Sequence, residues 1–281
     1  MPLKDILVHL DATPQSAGRL DLAIDLARRH DAHLTALHVV DIGLPLIAMA
    51  DGGGGAALAG LIDQMRDTAI AEASRIEADY RARMRRESLP GEWRQAEGMV
   101  AELVTQHARY ADLVILGQDD PDGPTTQTPG LAGQVLFGAG RPVLVVPYAG
   151  HFPSAGRRVL IGWNASREAA RAVNDALPLI GKADTACVLA ANPRRGIDGH
   201  GEEPGADIAL HLARHGAKVS VEHRLAPDVP DADLLLNHAT DMSADLIVIG
   251  AYGHSRLREF VLGGVTRTIL KQMTVPVLMS H

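Results

Sequence analysis

The residues best suited to chemistry in this chain lie in Gly250–Thr266, which reads G-A-Y-G-H-S-R-L-R-E-F-V-L-G-G-V-T. An apolar run, Leu246–Ile249, leads into it. A helical pattern marked by Val265, Ile269, Leu270 and Met273 leads out. Gly250 and Gly253 thus leave the carboxyl end of a buried strand, and Gly263 and Gly264 open a helix. Glycines allow positive φ and close approach of the main chain to a bound group. Backbone N–H groups at a helix start face an anion, and the helix dipole favours negative charge there. Thr266 adds a hydroxyl. The expected chemistry is a phosphate cradle, weighed against the simpler reading that the glycines only make a tight turn and close helix–sheet packing.

Other polar groupings carry less. Asp207, His211 and His215 share one helix face and could offer carboxylate and imidazole to a metal. They flank a separate apolar stripe (Ile208, Ala209, Leu212) and so are read as facing water, with no metal. The single cysteine, Cys187, falls in an apolar run and is expected to be a buried thiol. His9 and His38 lie in strand-like runs as core histidines, and Trp163 is read as core. Arg256 and Arg258, like the cluster Arg81, Arg83, Arg85 and Arg86, are read as solvated. No nucleophile-elbow spacing is visible, so no catalytic residue is named.

Positioning these residues requires a doubly wound frame, and the chain supplies it twice. Ile6-Leu-Val-His-Leu10 followed by Asp11 is mirrored by Val159-Leu-Ile-Gly-Trp163 followed by Asn164. Asp112-Leu-Val-Ile-Leu-Gly117 returns as Asp245-Leu-Ile-Val-Ile-Gly250, and Arg141-Pro-Val-Leu-Val145 as Val275-Pro-Val-Leu-Met279. A repeat of this length is a duplicated domain rather than a solenoid unit. Tyr148–Gly156, with its glycines and proline, reads as the linker. The predicted domains are 1–148 and 157–281, each alternating strands and helices: an α/β fold with a mostly parallel five-stranded sheet and helices on both faces. Continuous apolar strands agree, since strands buried on both sides lose the period of two. Ligands of such sheets bind beyond the carboxyl ends of the strands, where strand order reverses. Asp11, Gly117, Asn164 and Gly250 all fall at strand ends.

Composition narrows the function. Hydrophobic residues make up 46% of the chain, enough for full cores. Aromatics are only 3%, too few for base-stacking surfaces, and a net charge of −7 disfavours nucleic acid as a partner. No run is long and apolar enough to span a bilayer, and Met1-Pro2-Leu3 leads directly into a strand, so no membrane partner and a cytoplasmic location are expected.

On the spacing Gly250-x2-Gly253-x9-Gly263, followed by Val265, Thr266 and Pro276-Val-Leu, the chain resembles the universal stress protein family in its tandem two-domain form. The resemblance covers nearly the whole chain. It implies two Rossmann-like or flavodoxin-like domains and a stress-protective or regulatory protein that binds adenine nucleotide (ATP or AMP, with or without Mg2+) in the second domain. It would place Gly250, Gly253, Gly263, Gly264, Val265 and Thr266 around phosphates and ribose, Asn164 at the nucleoside and Ala191 against the adenine. The family's binders usually carry aspartate at the position of Asn164 and serine or threonine at that of Gly264. The family resemblance further implies that the last strands, Pro142–Val146 and Val275–Met279, pair into an intramolecular pseudo-dimer; a homodimer of whole chains is compatible with this.

The first domain departs further. Gly117 matches the first motif glycine, but Gln118, Asp119 and Asp120 follow, and Gly133 does not restore the pattern. That half is expected to be a degenerate copy without nucleotide. Two rivals to nucleotide binding stand: a nucleotide-free interaction scaffold of the same fold, and a weak ATPase or metal-dependent hydrolase.

Overall fold

The computed structural model describes residues 2–41, 55–123, 128–193, 203–251 and 264–281, with the side chains of 55–59 and 61 left aside. The first half runs β1 (Asp5–His9), α1 (Gln15–His30), β2 (His33–Val40), α2 (Gly55–Glu87), β3 (Gly91–Glu97), α3 (Val100–Ala108), β4 (Leu113–Gly117), α4 (Leu131–Ala139) and β5 (Val143–Val146). The second runs β6 (Arg158–Gly162), α5 (Arg167–Ile180), β7 (Thr185–Ala191), α6 (Ala206–Arg214), β8 (Val219–Arg224), α7 (Asp231–Asp241), β9 (Leu246–Gly250), α8 (Gly264–Gln272) and β10 (Val277–Ser280).

All ten strands form one sheet in the order β3-β2-β1-β4-β5-β10-β9-β6-β7-β8. Every neighbouring pair is parallel except β5 and β10, which meet antiparallel with Leu144 opposite Leu278. The two five-stranded halves therefore join into a single sheet about the β5–β10 seam. Alternate residues of each inner strand enter opposite cores. Ile6 and Val8 face the layer holding α1, α2, α5 and α6, whereas Leu7 faces the layer of α3, α4, α7 and α8. That two-sided burial is why the strands read as unbroken apolar runs. The edge strands β3 and β8 are more exposed and carry Glu92, Arg94, Glu222 and Arg224, charges that discourage further strand pairing.

The aspartate that opens each repeated D-L-x-x-x-G segment acts at the far end of the sheet. Asp112 Oδ2 accepts the N–H groups of Lys4 and Asp5 at 2.7 and 3.1 Å. Asp245 Oδ1 accepts those of Gly156, Arg157 and Arg158 at 3.0, 3.0 and 2.9 Å. Each carboxylate thereby pins the start of the neighbouring first strand of its half.

The halves also meet through side chains. Gln118 is buried; its Nε2 donates to the Leu270 carbonyl at 2.9 Å while its Oε1 accepts the Tyr148 N–H at 3.1 Å. Arg171 donates to the Gly140 carbonyl at 3.1 Å, and the Phe137 and His281 rings pack edge to face with centroids 4.8 Å apart. Gln118, the residue that follows the motif glycine of the first half, is thus a bridge to the second.

Candidate functional site at the two switch points

Strand order reverses between β1 and β4 in the first half and between β6 and β9 in the second. The register sets Gly162 of β6 beside Ile249 of β9 and Leu189 of β7, so the carboxyl ends of these three strands lie side by side. Asn164 follows β6, Gly250 ends β9 and Ala191 ends β7. These candidate residues therefore converge on the second switch point. Gly264 and Val265 begin α8 on its exposed side, and Thr266 turns inward, 3% exposed. Gly253 and Gly263 lie outside the described residues, as do Arg256 and Arg258.

After the first strand of each half the same side-chain bond recurs, although only the second half turns through a positive φ there. Asn164 Oδ1 accepts the Ser166 N–H at 3.2 Å, and Asp11 Oδ1 accepts the Thr13 N–H at 3.0 Å. Ala165, in between, sits at φ 56°, a left-handed turn position that this side-chain bond supports. Ser166 then caps α5, accepting the Ala169 N–H at 3.1 Å. Glu168 occupies the first turn of α5, buried and bonded to Arg167. Burial alone would push its carboxyl up, but the Arg167 hydrogen bond and charge hold it below the usual range. The amino end of α5 is thereby satisfied by its own residues.

Gly250 has a packing role that requires no ligand. A Cβ there would lie 2.3 Å from Ala169 N and 2.4 Å from the Glu168 carbonyl carbon, so the first turn of α5 rests directly on the glycine. Gly264 is the opposite: a Cβ would meet nothing within 4 Å among the described residues. Among the described residues, the start of α8 therefore leaves room at Gly264 for a further group.

The first switch point is filled. Arg19, from α1, is 3% exposed and directs Nη2 to Asp11 Oδ2 at 2.7 Å and to Ser16 Oγ at 3.1 Å. Its Nη1 lies 2.0 Å from where a Cβ on Gly117 would stand, so the guanidinium lies across the motif glycine. Burial would raise the Asp11 carboxyl, yet Arg19, His9 and the Thr13 hydroxyl bring it down to about 2. Farther out, Asp119 Oδ2 accepts the Gly130 N–H at 2.7 Å, and Gln15 Nε2 reaches Asp120 Oδ2 at 3.3 Å. The loop that breaks the motif thus presents carboxylates occupied in internal bonds. Arg19 was missed in reading the sequence, though its signal was present. It stands eight residues after Asp11, and the same step from Asn164 reaches Ala172.

His9 is buried beside this ion pair, and burial drives its pKa down to about 4 despite the attraction of Asp11. His38 Nδ1 donates to the Leu10 carbonyl at 2.8 Å. Both are core histidines, as expected, and Trp163 packs partly buried against the core.

This architecture, two doubly wound α/β units fused edge to edge, defines a class of proteins with ligand sites at the strand ends. The model of the universal stress protein family matches residues 2–147 and again 156–281, and the chain belongs to that family. A universal stress protein of Archaeoglobus fulgidus has a structure similar over 98% of this chain and 96% of that one, with TM-score 0.73 and 16% identity. The Pseudomonas aeruginosa protein PA1789, described as functionally unknown, aligns over 99% of this chain and 92% of its own, with TM-score 0.58 and 18% identity. At such identities the likeness speaks to fold alone. In sequence, the universal stress protein Slr1230 of Synechocystis is 38% identical over 56 residues, a match spanning 17% of this chain and 20% of that relative. Among the described residues no helix is long and apolar enough to cross a membrane.

Proposed function

We propose that this universal stress protein binds adenine nucleotide, ATP or AMP, with or without Mg2+, at the second switch point, and acts in the cytoplasm as a regulatory or stress-protective protein. In this reading 157–281 is the binding half and 1–148 a nucleotide-free copy. The observation that carries it is the contrast at the strand ends: a guanidinium covers Gly117, whereas the corresponding residue in the second half is Ala172, and a Cβ at Gly264 would meet nothing within 4 Å among the described residues. Asn164 and Ala191 would meet the nucleoside. Gly250, Gly253, Gly263, Gly264, Val265 and Thr266 would surround phosphates and ribose.

Thermal unfolding with and without ATP tests this. A ligand that binds only the folded state at a hundred times its Kd stabilises by about 2.7 kcal/mol. The expected result is a rise in Tm that disappears in Gly253→Glu, together with nucleotide detected by mass spectrometry of small molecules released from purified protein. Absence of stabilisation at millimolar ATP would favour the scaffold reading. That reading has its own observation: the contact of Gly250 with α5 accounts for that glycine without any ligand.

A further inference from the structure

The layer beneath α7 holds a polar cluster that nucleotide binding does not use. Cys187 on β7, Glu222 on β8 and His238 on α7 place Sγ, a carboxylate oxygen and an imidazole nitrogen within 4.8 Å of one another. Sγ lies 3.7 Å from His238 Nε2, and Nε2 lies 3.7 Å from Glu222 Oε2. Cys187 and His238 are buried, while the Glu222 side chain is 44% exposed. The three residues come from three elements, and the sequence offered no spacing that joins them. Asp207, His211 and His215, the set visible in the sequence, do not converge in this way: the rings of His211 and His215 merely lean together with centroids 4.6 Å apart.

We infer that Cys187, Glu222 and His238 form a binding site for a zinc-class divalent cation, with a fourth position open to water on the Glu222 side. Thiolate, imidazole and carboxylate are the donor types zinc takes, and three protein ligands plus an open position form a recurrent zinc arrangement. Zn–S near 2.3 Å and Zn–N near 2.0 Å place neighbouring tetrahedral donors about 3.5 Å apart. The two separations from His238 Nε2 are 3.7 Å and all three donors lie within 4.8 Å, so side-chain rotation that draws Glu222 toward Cys187 closes the set. A thiolate and a carboxylate together cancel the charge of the ion, so the bound set is neutral where it is buried. Uptake displaces the thiol proton to solvent.

Arg224 is the competitor. Its Nη2 lies 3.3 Å from Glu222 Oε2 and 3.5 Å from His238 Nδ1. With the metal on Nε2, Nδ1 carries the proton and no longer accepts from Arg224, which turns out to solvent; its side chain is already 49% exposed. The first half supplies an internal control. The strand registers put Thr35 where the second half has Cys187, and Arg94 where it has Glu222. The cluster is therefore particular to one half.

The test is titration of the full chain with Co2+ as a spectroscopic probe, followed by displacement with Zn2+. The expected result is one ion per chain, with thiolate-to-cobalt charge-transfer absorption and the intense visible bands of four-coordinate cobalt. Cys187→Ser should remove the charge-transfer band and weaken binding by more than roughly a hundredfold, since even outer partners of metal ligands contribute 10- to 100-fold. Glu222→Gln should weaken binding about tenfold, and Arg224→Met should tighten it several-fold. Thermal unfolding of each apo variant checks that it folds. If Cys187→Ser is unstable, loss of the band in His238→Gln serves instead. Binding without the charge-transfer band would be adventitious surface binding and would overturn the inference, as would no binding or an unchanged affinity in Cys187→Ser.

Discussion

At the first switch point a guanidinium lies across the strand ends; at the second, the corresponding residue ends in a methyl group. Both halves share the same strand order, the same side-chain bond after the first strand and the same motif glycine at the end of the fourth. They differ in what stands over that glycine. Over Gly117 it is the Arg19 side chain, held by Asp11 and Ser16; over Gly250 it is the backbone of α5 itself. A duplicated fold can thus place a buried cation over the strand ends of one half and helix backbone over those of the other while keeping the same scaffold. The loop residues after Gly117 make internal contacts: Gln118 ties the halves together, and Asp119 fixes the approach to α4.

The comparison can be broken most directly at the two glycines. Gly250→Val places atoms where the backbone of Glu168 and Ala169 already lies, and neither can yield without moving α5. A loss of about 3 kcal/mol or more is expected in urea unfolding. Gly117→Ala meets only the end of a side chain and should lose clearly less. Equal losses would show that the two glycines are packed alike.

Removing the plug comes next. Arg19→Ala leaves the largely buried Asp11 carboxylate without its cation, and a loss of about 3 kcal/mol is expected. Adding Asp11→Asn should recover much of it. Nucleotide affinity in a chain also carrying Gly253→Glu should stay absent, because Asp119 and Asp120 remain. If that chain gains ATP-dependent stabilisation, Arg19 alone was closing the first mouth.

The titration of His9 gives a third test. Its pKa is about 4 in the fold, with the unfolded value near 6.5. The unfolded chain therefore binds a proton that the folded chain refuses between these values, and stability falls as pH drops from about 6.5 to 4. The expected loss is on the order of 2–3 kcal/mol, flattened in His9→Gln. Asp11 contributes in a lower window. Its lowered pKa stabilises fully above about 4, and that contribution is lost only as pH falls toward 2, so the two are separable. The smallest effect belongs to Gly264→Ser. With nothing within 4 Å of the added Cβ, stability should hardly change. One hydroxyl bond of about 1 kcal/mol would tighten ATP roughly fivefold by calorimetry. No change would place the phosphates elsewhere.

The amino-acid sequence by itself determined the doubling, the mostly parallel sheets and the position of the strand ends. These follow from local patterns: apolar runs buried on both faces, glycines at strand ends, and an aspartate that returns in register. It also exposed the failed spacing after Gly117, because charge and spacing are readable in one dimension. It did not reveal what fills the first mouth. Arg19 reads as an ordinary helix residue until the turn of α1 carries it over Gly117. Nor did it bring Cys187, Glu222 and His238 together, since strand register and helix docking, not spacing, set their separations. Tertiary structure alone decided those contacts, for buried ion pairs and donor clusters depend on distances between elements, and only packing sets such distances.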